Sequence, residues 1–121
     1  MKTIAVVEDN PDNRLLVQAI LEDSYRLSEY EDGPAALAGV RRELPDLVLL
    51  DISLPGMDGT QVLQALRSED RLRDLPVVAL TAHAMAGDRD RLLAAGFDGY
   101  VAKPITDEQI LLGAIEQCLG A

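Results

Sequence analysis

The run Leu47-Val48-Leu49-Leu50-Asp51 is four aliphatic residues closed by a single acid, and its reading decides the fold. An apolar stretch this short, with no alternation, suits a strand covered on both faces, as in a parallel sheet; a buried helical segment in isolation reads the same way. Repetition adds weight to the strand reading. Ile4-Ala5-Val6-Val7, Val77-Val78-Ala79-Leu80 and Tyr100-Val101-Ala102 share the same character, apolar throughout. Arg26 to Tyr30 mixes apolar and polar residues and fits a partly solvated edge strand.

Between these runs lies helix punctuation. Asn10-Pro11 supplies a cap and a first-turn proline, and the helix it opens runs to near Asp23. Gly33-Pro34 opens a second, which ends near Glu43 because Pro45 disfavours helical geometry at Leu44. A third covers Thr60 to Ser68, and a fourth lies within Ala84 to Ala95, with Gly96 placed to close it in a left-handed conformation. Thr106 and Gln109 read as a capping box for the fifth, which extends to Leu119. Strand and helix thus alternate five times, which predicts an α/β fold: an open, doubly wound sheet of five parallel strands in the order 2-1-3-4-5, too small for a closed eight-fold barrel. Residues 1–121 are expected to form one domain.

Composition narrows the function. With 11 Lys+Arg against 21 Asp+Glu the net charge is −10, a field that repels phosphate backbones and anionic membranes, so direct nucleic-acid or membrane binding is not expected. The single cysteine, Cys118, rules out an intrachain disulfide and a thiolate metal cluster, and reads as a small packed side chain. The apolar run near the N-terminus is too short for a signal peptide or a membrane span, and the expected location is cytoplasmic.

In open α/β sheets ligands bind beyond the carboxyl ends of the strands, where strand order reverses. Glu8-Asp9, Asp51, Thr81 and Lys103 sit at those ends. In the 2-1-3-4-5 order, strands one and three are neighbours, so Glu8, Asp9 and Asp51 meet. Two such charges about 4 Å apart repel by roughly 4 kcal/mol at an effective dielectric of ~20, so the cluster must take up a proton or hold a cation. A few hard oxygen ligands with room for water suit Mg²⁺. A carboxylate nucleophile, Mg²⁺ and the Lys103 ammonium together suit phosphoryl transfer onto Asp51.

Four motifs in order, Val6-Val7-Glu8-Asp9-Asn10, Leu49-Leu50-Asp51-Ile52 with Leu54-Pro55-Gly56-Met57-Asp58-Gly59, Leu80-Thr81-Ala82, and Lys103-Pro104, closely resemble the receiver domain of bacterial two-component response regulators. The resemblance implies that Asp51 accepts a phosphoryl group from a histidine kinase or histidine phosphotransfer protein. It implies that Asp9 and Asp51 ligate Mg²⁺, that Glu8 acts through water and that the Ser53 carbonyl completes the site. Lys103 and Thr81 would contact phosphoryl oxygens, and Tyr100 would turn inward as Thr81 moves. The resemblance further implies a cis peptide between Lys103 and Pro104, and a downstream protein target that reads the surface of the fourth helix, fifth strand and fifth helix. It leaves room for a homodimer that forms on phosphorylation. The resemblance also implies that Ser53 and His83 occupy positions that tune phosphoryl lifetime.

Single acids near helix starts mostly stabilise the macrodipole, and Asp12, Asp32 and Asp107 are read that way. The Met57-Asp58-Gly59 segment reads as a turn in which Gly59 adopts a backbone other residues resist. A multi-turnover aspartyl-phosphate phosphatase would place a second Asp at position 53, which is Ser53, so the chain reads as a switch that assists its own phosphorylation and dephosphorylation and not as an enzyme. A flavin protein would need aromatics, which are 3% here, and a phosphate-cradling first loop in place of Glu8-Asp9-Asn10-Pro11-Asp12. Two alternatives keep the fold: a phosphorylation-independent scaffold, and a receiver excised from a hybrid histidine kinase. With Met1 at the start and Gly120-Ala121 soon after the last helix, a single-domain regulator is favoured.

Overall fold

The structure is a computed structural model and describes residues 1–82 and 86–119. Five strands, β1 (Thr3–Val7), β2 (Arg26–Tyr30), β3 (Leu47–Asp51), β4 (Val77–Thr81) and β5 (Gly99–Ala102), alternate with five helices, α1 (Pro11–Leu21), α2 (Gly33–Glu43), α3 (Gly59–Arg67), α4 (Ala86–Ala95) and α5 (Glu108–Leu119). All neighbouring strands are parallel, in the order β2-β1-β3-β4-β5. This is the predicted doubly wound sheet.

Strand alternation divides the core in two. Ala5, Val7, Val48, Leu50, Val77 and Ala79 face α2, α3 and α4, meeting Leu37, Leu63 and Leu92. Ile4, Val6, Leu47, Leu49, Val78, Leu80 and Val101 face α1 and α5, meeting Val17, Leu21, Leu111 and Ile115. Both faces of β1, β3 and β4 are therefore covered, as their unbroken apolar runs require. β5 departs from that expectation: it is an edge strand, fully buried only at Val101. Its apolar composition reflects contacts on the inner side, where Tyr100 packs partly buried against the first core.

Local chemistry sets the helix ends. The Asn10 side chain accepts from the backbone amides of Asp12 (2.8 Å) and Asn13 (3.1 Å), and Asp32 caps α2 by accepting from Ala35 (2.8 Å). Leu44 ends α2 in the left-handed region at φ 50°, and Gly96 follows α4 at φ 114°. The expected cap at Thr106 is corrected by one residue: Asp107 accepts from the Gln109 amide at 2.9 Å, and α5 starts at Glu108. Aspartate, like threonine, carries a side-chain oxygen of the right reach, so two adjacent candidates could not be separated by composition.

Gly59 also needs a different explanation from the one expected. Its φ is not positive; the left-handed glycine of that segment is Gly56, at φ 75°. A Cβ on Gly59 would lie 2.5 Å from Ile52 Cα and 2.7 Å from the Asp51 carbonyl oxygen, so α3 can start against the end of β3 only without a side chain there. Gly59→Ala is expected to push on the backbone that carries Asp51 and to cost roughly 1–3 kcal/mol, as overpacking does, measurable by urea denaturation. A variant as stable as the native chain would show that the α3 start is loosely held.

Candidate functional site

The sheet brings its polar strand ends to one rim. Glu8 continues the side-chain alternation of Ile4 and Val6, Asp51 that of Leu47 and Leu49, and Lys103 that of Val101, so all three emerge on the α1/α5 side. Glu8 and Asp51 are almost wholly inaccessible, at 0% and 1%. Lys103 Nζ bridges them, 3.0 Å from Asp51 Oδ2 and 3.2 Å from Glu8 Oε1. Asp51 Oδ1 accepts from the Ser53 amide at 2.9 Å, and Glu8 Oε2 accepts from the Asn10 amide at 3.2 Å. Each buried carboxylate thus has both oxygens bonded.

Asp9, one residue beyond Glu8, is exposed and offers a third carboxylate: one oxygen from each of Glu8, Asp9 and Asp51 lies within 4.8 Å of the others. Thr81 ends β4 and is fully buried; its carbonyl accepts from the Lys103 amide at 2.8 Å. By alternation it falls on the opposite side of the sheet from Asp51, with Val77 and Ala79, which is also the side of Tyr100. The Lys103–Pro104 peptide is cis. His83 lies outside the described residues. Cys118 lines the groove between α4 and α5, and burial followed by the nearby Asp98 raises its thiol above the ordinary value, the opposite of a reactive thiolate.

Electrostatics follow from this packing. Burial, with a hydrogen bond and charge from Asp51, raises the Glu8 carboxyl from 4.5 to about 7, against the lowering pull of the Asn10 amide and Lys103. Burial alone would lower the Lys103 ammonium, but Asp51 and Glu8 outweigh it and the net shift is upward. A raised acid is stabilising in its protonated form, so without a metal the Glu8 contribution is full below about pH 4.5 and is lost as pH rises toward about 7. Glu8→Gln is expected to flatten the pH dependence of the melting temperature across that window in EDTA. An unchanged slope would assign the dependence to another group.

The donor set fits a divalent cation. Three carboxylates converge with only one ammonium between them, all donors are hard oxygens, and Asp9 opens the cluster to water, as Mg²⁺ requires.

One residue with a part in this geometry, Arg14, escaped the sequence reading. Its Nη1 donates to the carbonyl of Glu8 at 2.9 Å and to that of Asp9 at 3.2 Å. The available signal was a cation close to the start of a helix, where the macrodipole disfavours it.

Residues 4–115 match the response regulator receiver domain family. The chain belongs to that family. The receiver is 47% identical over 111 residues to the sensor protein GacS of Pseudomonas syringae, covering 88% of this chain but 12% of that protein. It is 41% identical over 106 residues to the polar-differentiation response regulator DivK of Brucella anthropi, covering 87% of this chain and 86% of DivK. Among solved structures, the receiver domain of the Pseudomonas aeruginosa sensor histidine kinase PA1611, with a magnesium ion in its active site cleft, superposes with a TM-score of 0.89 at 35% identity, covering 99% of this chain and 98% of that one. The Vibrio cholerae chemotaxis protein CheY4 superposes with a TM-score of 0.89 at 25% identity over 98% of both chains. The receiver family is a phosphoaccepting switch of two-component signalling, and the acidic cluster at this rim fits that role. No described helix is long and apolar enough to cross a membrane.

Proposed function

We propose that Asp51 is the phosphoacceptor of a Mg²⁺-dependent switch. The observation that carries the reading is the buried Glu8–Lys103–Asp51 bridge, with Asp9 beside it: a carboxylate acceptor held in place by one ammonium among excess acids. A phosphohistidine on a histidine kinase or histidine phosphotransfer protein supplies the group. An Asp51 carboxylate oxygen forms the new O–P bond as the N–P bond of the donor breaks, and the freed imidazole takes up a proton.

Asp9 and Asp51 would hold Mg²⁺, with the Ser53 carbonyl completing the site and Glu8 acting through water. Bound there, the ion would neutralise charge on the transferring phosphoryl oxygens. Ser53, whose amide holds Asp51 Oδ1, keeps the other acceptor oxygen free for Lys103. Lys103 moves from carboxylate to phosphoryl oxygen, Thr81 contributes its hydroxyl, and Tyr100 follows Thr81 from its partly buried seat on β5. His83 and Ser53 tune how long the acyl phosphate survives. A downstream protein reads the α4-β5-α5 surface, and a phosphorylation-dependent homodimer could use the same face. The chain turns over its own phosphoryl group and no external substrate, and it works in the cytoplasm. Residues 1–121 act as one receiver domain, and the chemistry is the same in a free-standing regulator and within a hybrid kinase.

Intact mass after incubation with acetyl phosphate tests the reading: a single phosphoryl adduct that requires Mg²⁺ is expected. No adduct in any condition would leave the fold as a phosphorylation-independent scaffold.

A further inference from the structure

We infer that Arg14 is a positioning residue for the metal: its guanidinium sets the path of the loop that carries Glu8 and Asp9, and through that loop the affinity of the rim for Mg²⁺. The inference rests on the reading of this rim as a Mg²⁺-dependent acceptor site. Arg14 stands near the start of α1, where a cation opposes the helix dipole and needs an offsetting partner. It has three. Nη1 donates to the Glu8 carbonyl (2.9 Å) and the Asp9 carbonyl (3.2 Å), and Nη2 lies 3.4 Å from Glu31 Oε1, just past the end of β2.

These contacts differ in weight. The Arg14 side chain is 17% exposed, whereas that of Glu31 is 75% exposed, so the ion pair is a solvent-screened surface contact. The bond to the Glu8 carbonyl is the partly sheltered one, that to the Asp9 carbonyl is exposed, and together they orient the peptides on either side of Asp9. The Glu8 amide is tied as well, donating to the Tyr30 carbonyl at 3.0 Å, so Glu8 is held from both of its backbone ends. Asp9 is exposed, and the hydrogen bond that holds it runs through its carbonyl. The direction in which its carboxylate meets the other two is therefore set by backbone, and Arg14 sets that backbone.

Two effects of the guanidinium oppose each other. As a positive charge behind the acids it repels a cation; through Nη1, which donates to both carbonyls, it preassembles the ligands. Positioning and charge therefore predict opposite signs on removal. Lysine keeps the charge, but its ammonium sits one bond nearer the backbone than Nη1 and has no second nitrogen to face Glu31, so it does not restore the geometry.

The test is calorimetric titration of the intact chain with MgCl₂, for the native protein, Arg14→Ala, Arg14→Lys and Glu31→Gln, each with a thermal melt. Both Arg14 variants are expected to bind Mg²⁺ about tenfold more weakly, the low end of the loss seen when a partner behind a metal ligand is removed, and Glu31→Gln to stay close to native. Acetyl phosphate labelling of the Arg14 variants is expected to slow at limiting Mg²⁺ and to return to the native rate at saturating Mg²⁺. Native Mg²⁺ affinity with only a lowered melting temperature would make Arg14 purely structural. Tighter binding in Arg14→Ala with native binding in Arg14→Lys would make it a charge effect; either result overturns the inference. If Arg14→Ala does not fold, Arg14→Lys with its retained stem and charge carries the comparison. Absence of Mg²⁺ binding by the native chain would overturn the reading of the rim itself, which separates the two failures.

Discussion

Asp51→Asn is expected to abolish the phosphoryl adduct completely while leaving the fold intact. Asparagine is nearly isosteric, and its carbonyl oxygen can still accept from the Ser53 amide, the bond that now runs to Oδ1 at 2.9 Å. What disappears is the nucleophilic carboxylate and one negative charge. Lys103 keeps Glu8 as a partner at 3.2 Å, so no buried charge is stranded. Removing one of two like charges from a buried pair also relieves repulsion, so the metal-free variant should melt no lower than the native chain. Intact mass with acetyl phosphate and Mg²⁺, paired with a thermal melt, reads both effects. An adduct that survives the substitution would move the acceptor elsewhere.

The second large effect is on stability. Lys103→Ala leaves the Glu8 and Asp51 carboxylates, at 0% and 1% exposure, without their shared cation. Breaking a buried ion pair from one side costs about 3–5 kcal/mol, because the remaining charge stays desolvated. The loss should be largest near pH 8 in EDTA. It should shrink as pH falls below about 7, where Glu8 takes up a proton, and also on adding Mg²⁺, which binds only the folded rim. Combining Lys103→Ala with Asp51→Asn should cost less than the sum of the two, since the three groups form one network. Urea denaturation across pH, with and without Mg²⁺, decides it, and equal losses in all conditions would mean that Lys103 acts through packing. If phosphorylated Lys103→Ala signalled normally, the coupling role given to Lys103 would fail.

The residues behind both effects are legible in the sequence because chemistry in this fold sits where apolar runs stop; the cost of losing Lys103 follows from the burial of its two partners. Glu8, Asp51, Thr81 and Lys103 are each the first polar residue after an aliphatic stretch, and parallel strands bring such positions to one edge. Other features were less legible. The shift of the α5 cap from Thr106 to Asp107 lay below the resolution of residue preference, since both types cap. The run at β5 reads as covered on both faces because composition does not separate an outer strand with one buried row from an inner one. Gly59 reads as a residue with a special backbone, whereas the constraint is a steric approach between segments, which no local pattern encodes. Arg14 was missed for a related reason: its bonds go to main-chain carbonyls, which look alike at every position.

The alternation of the sheet behaves as a reading frame for the rim. Glu8, Asp51 and Lys103 keep one phase of their strands, and Thr81 and Tyr100 keep the other. Adding or deleting one residue inside β1, β3 or β5 would carry an acid or the lysine through the sheet to the wrong side while disturbing little of the apolar composition. Strand length in this chain is thus locked by chemistry as firmly as by packing. The opposite end of the sheet carries a different set of polar contacts, with Asp46 accepting from the Thr3 amide and Asp98 from the Val77 amide, so a frame shift there would break backbone anchors and leave the acidic rim in place.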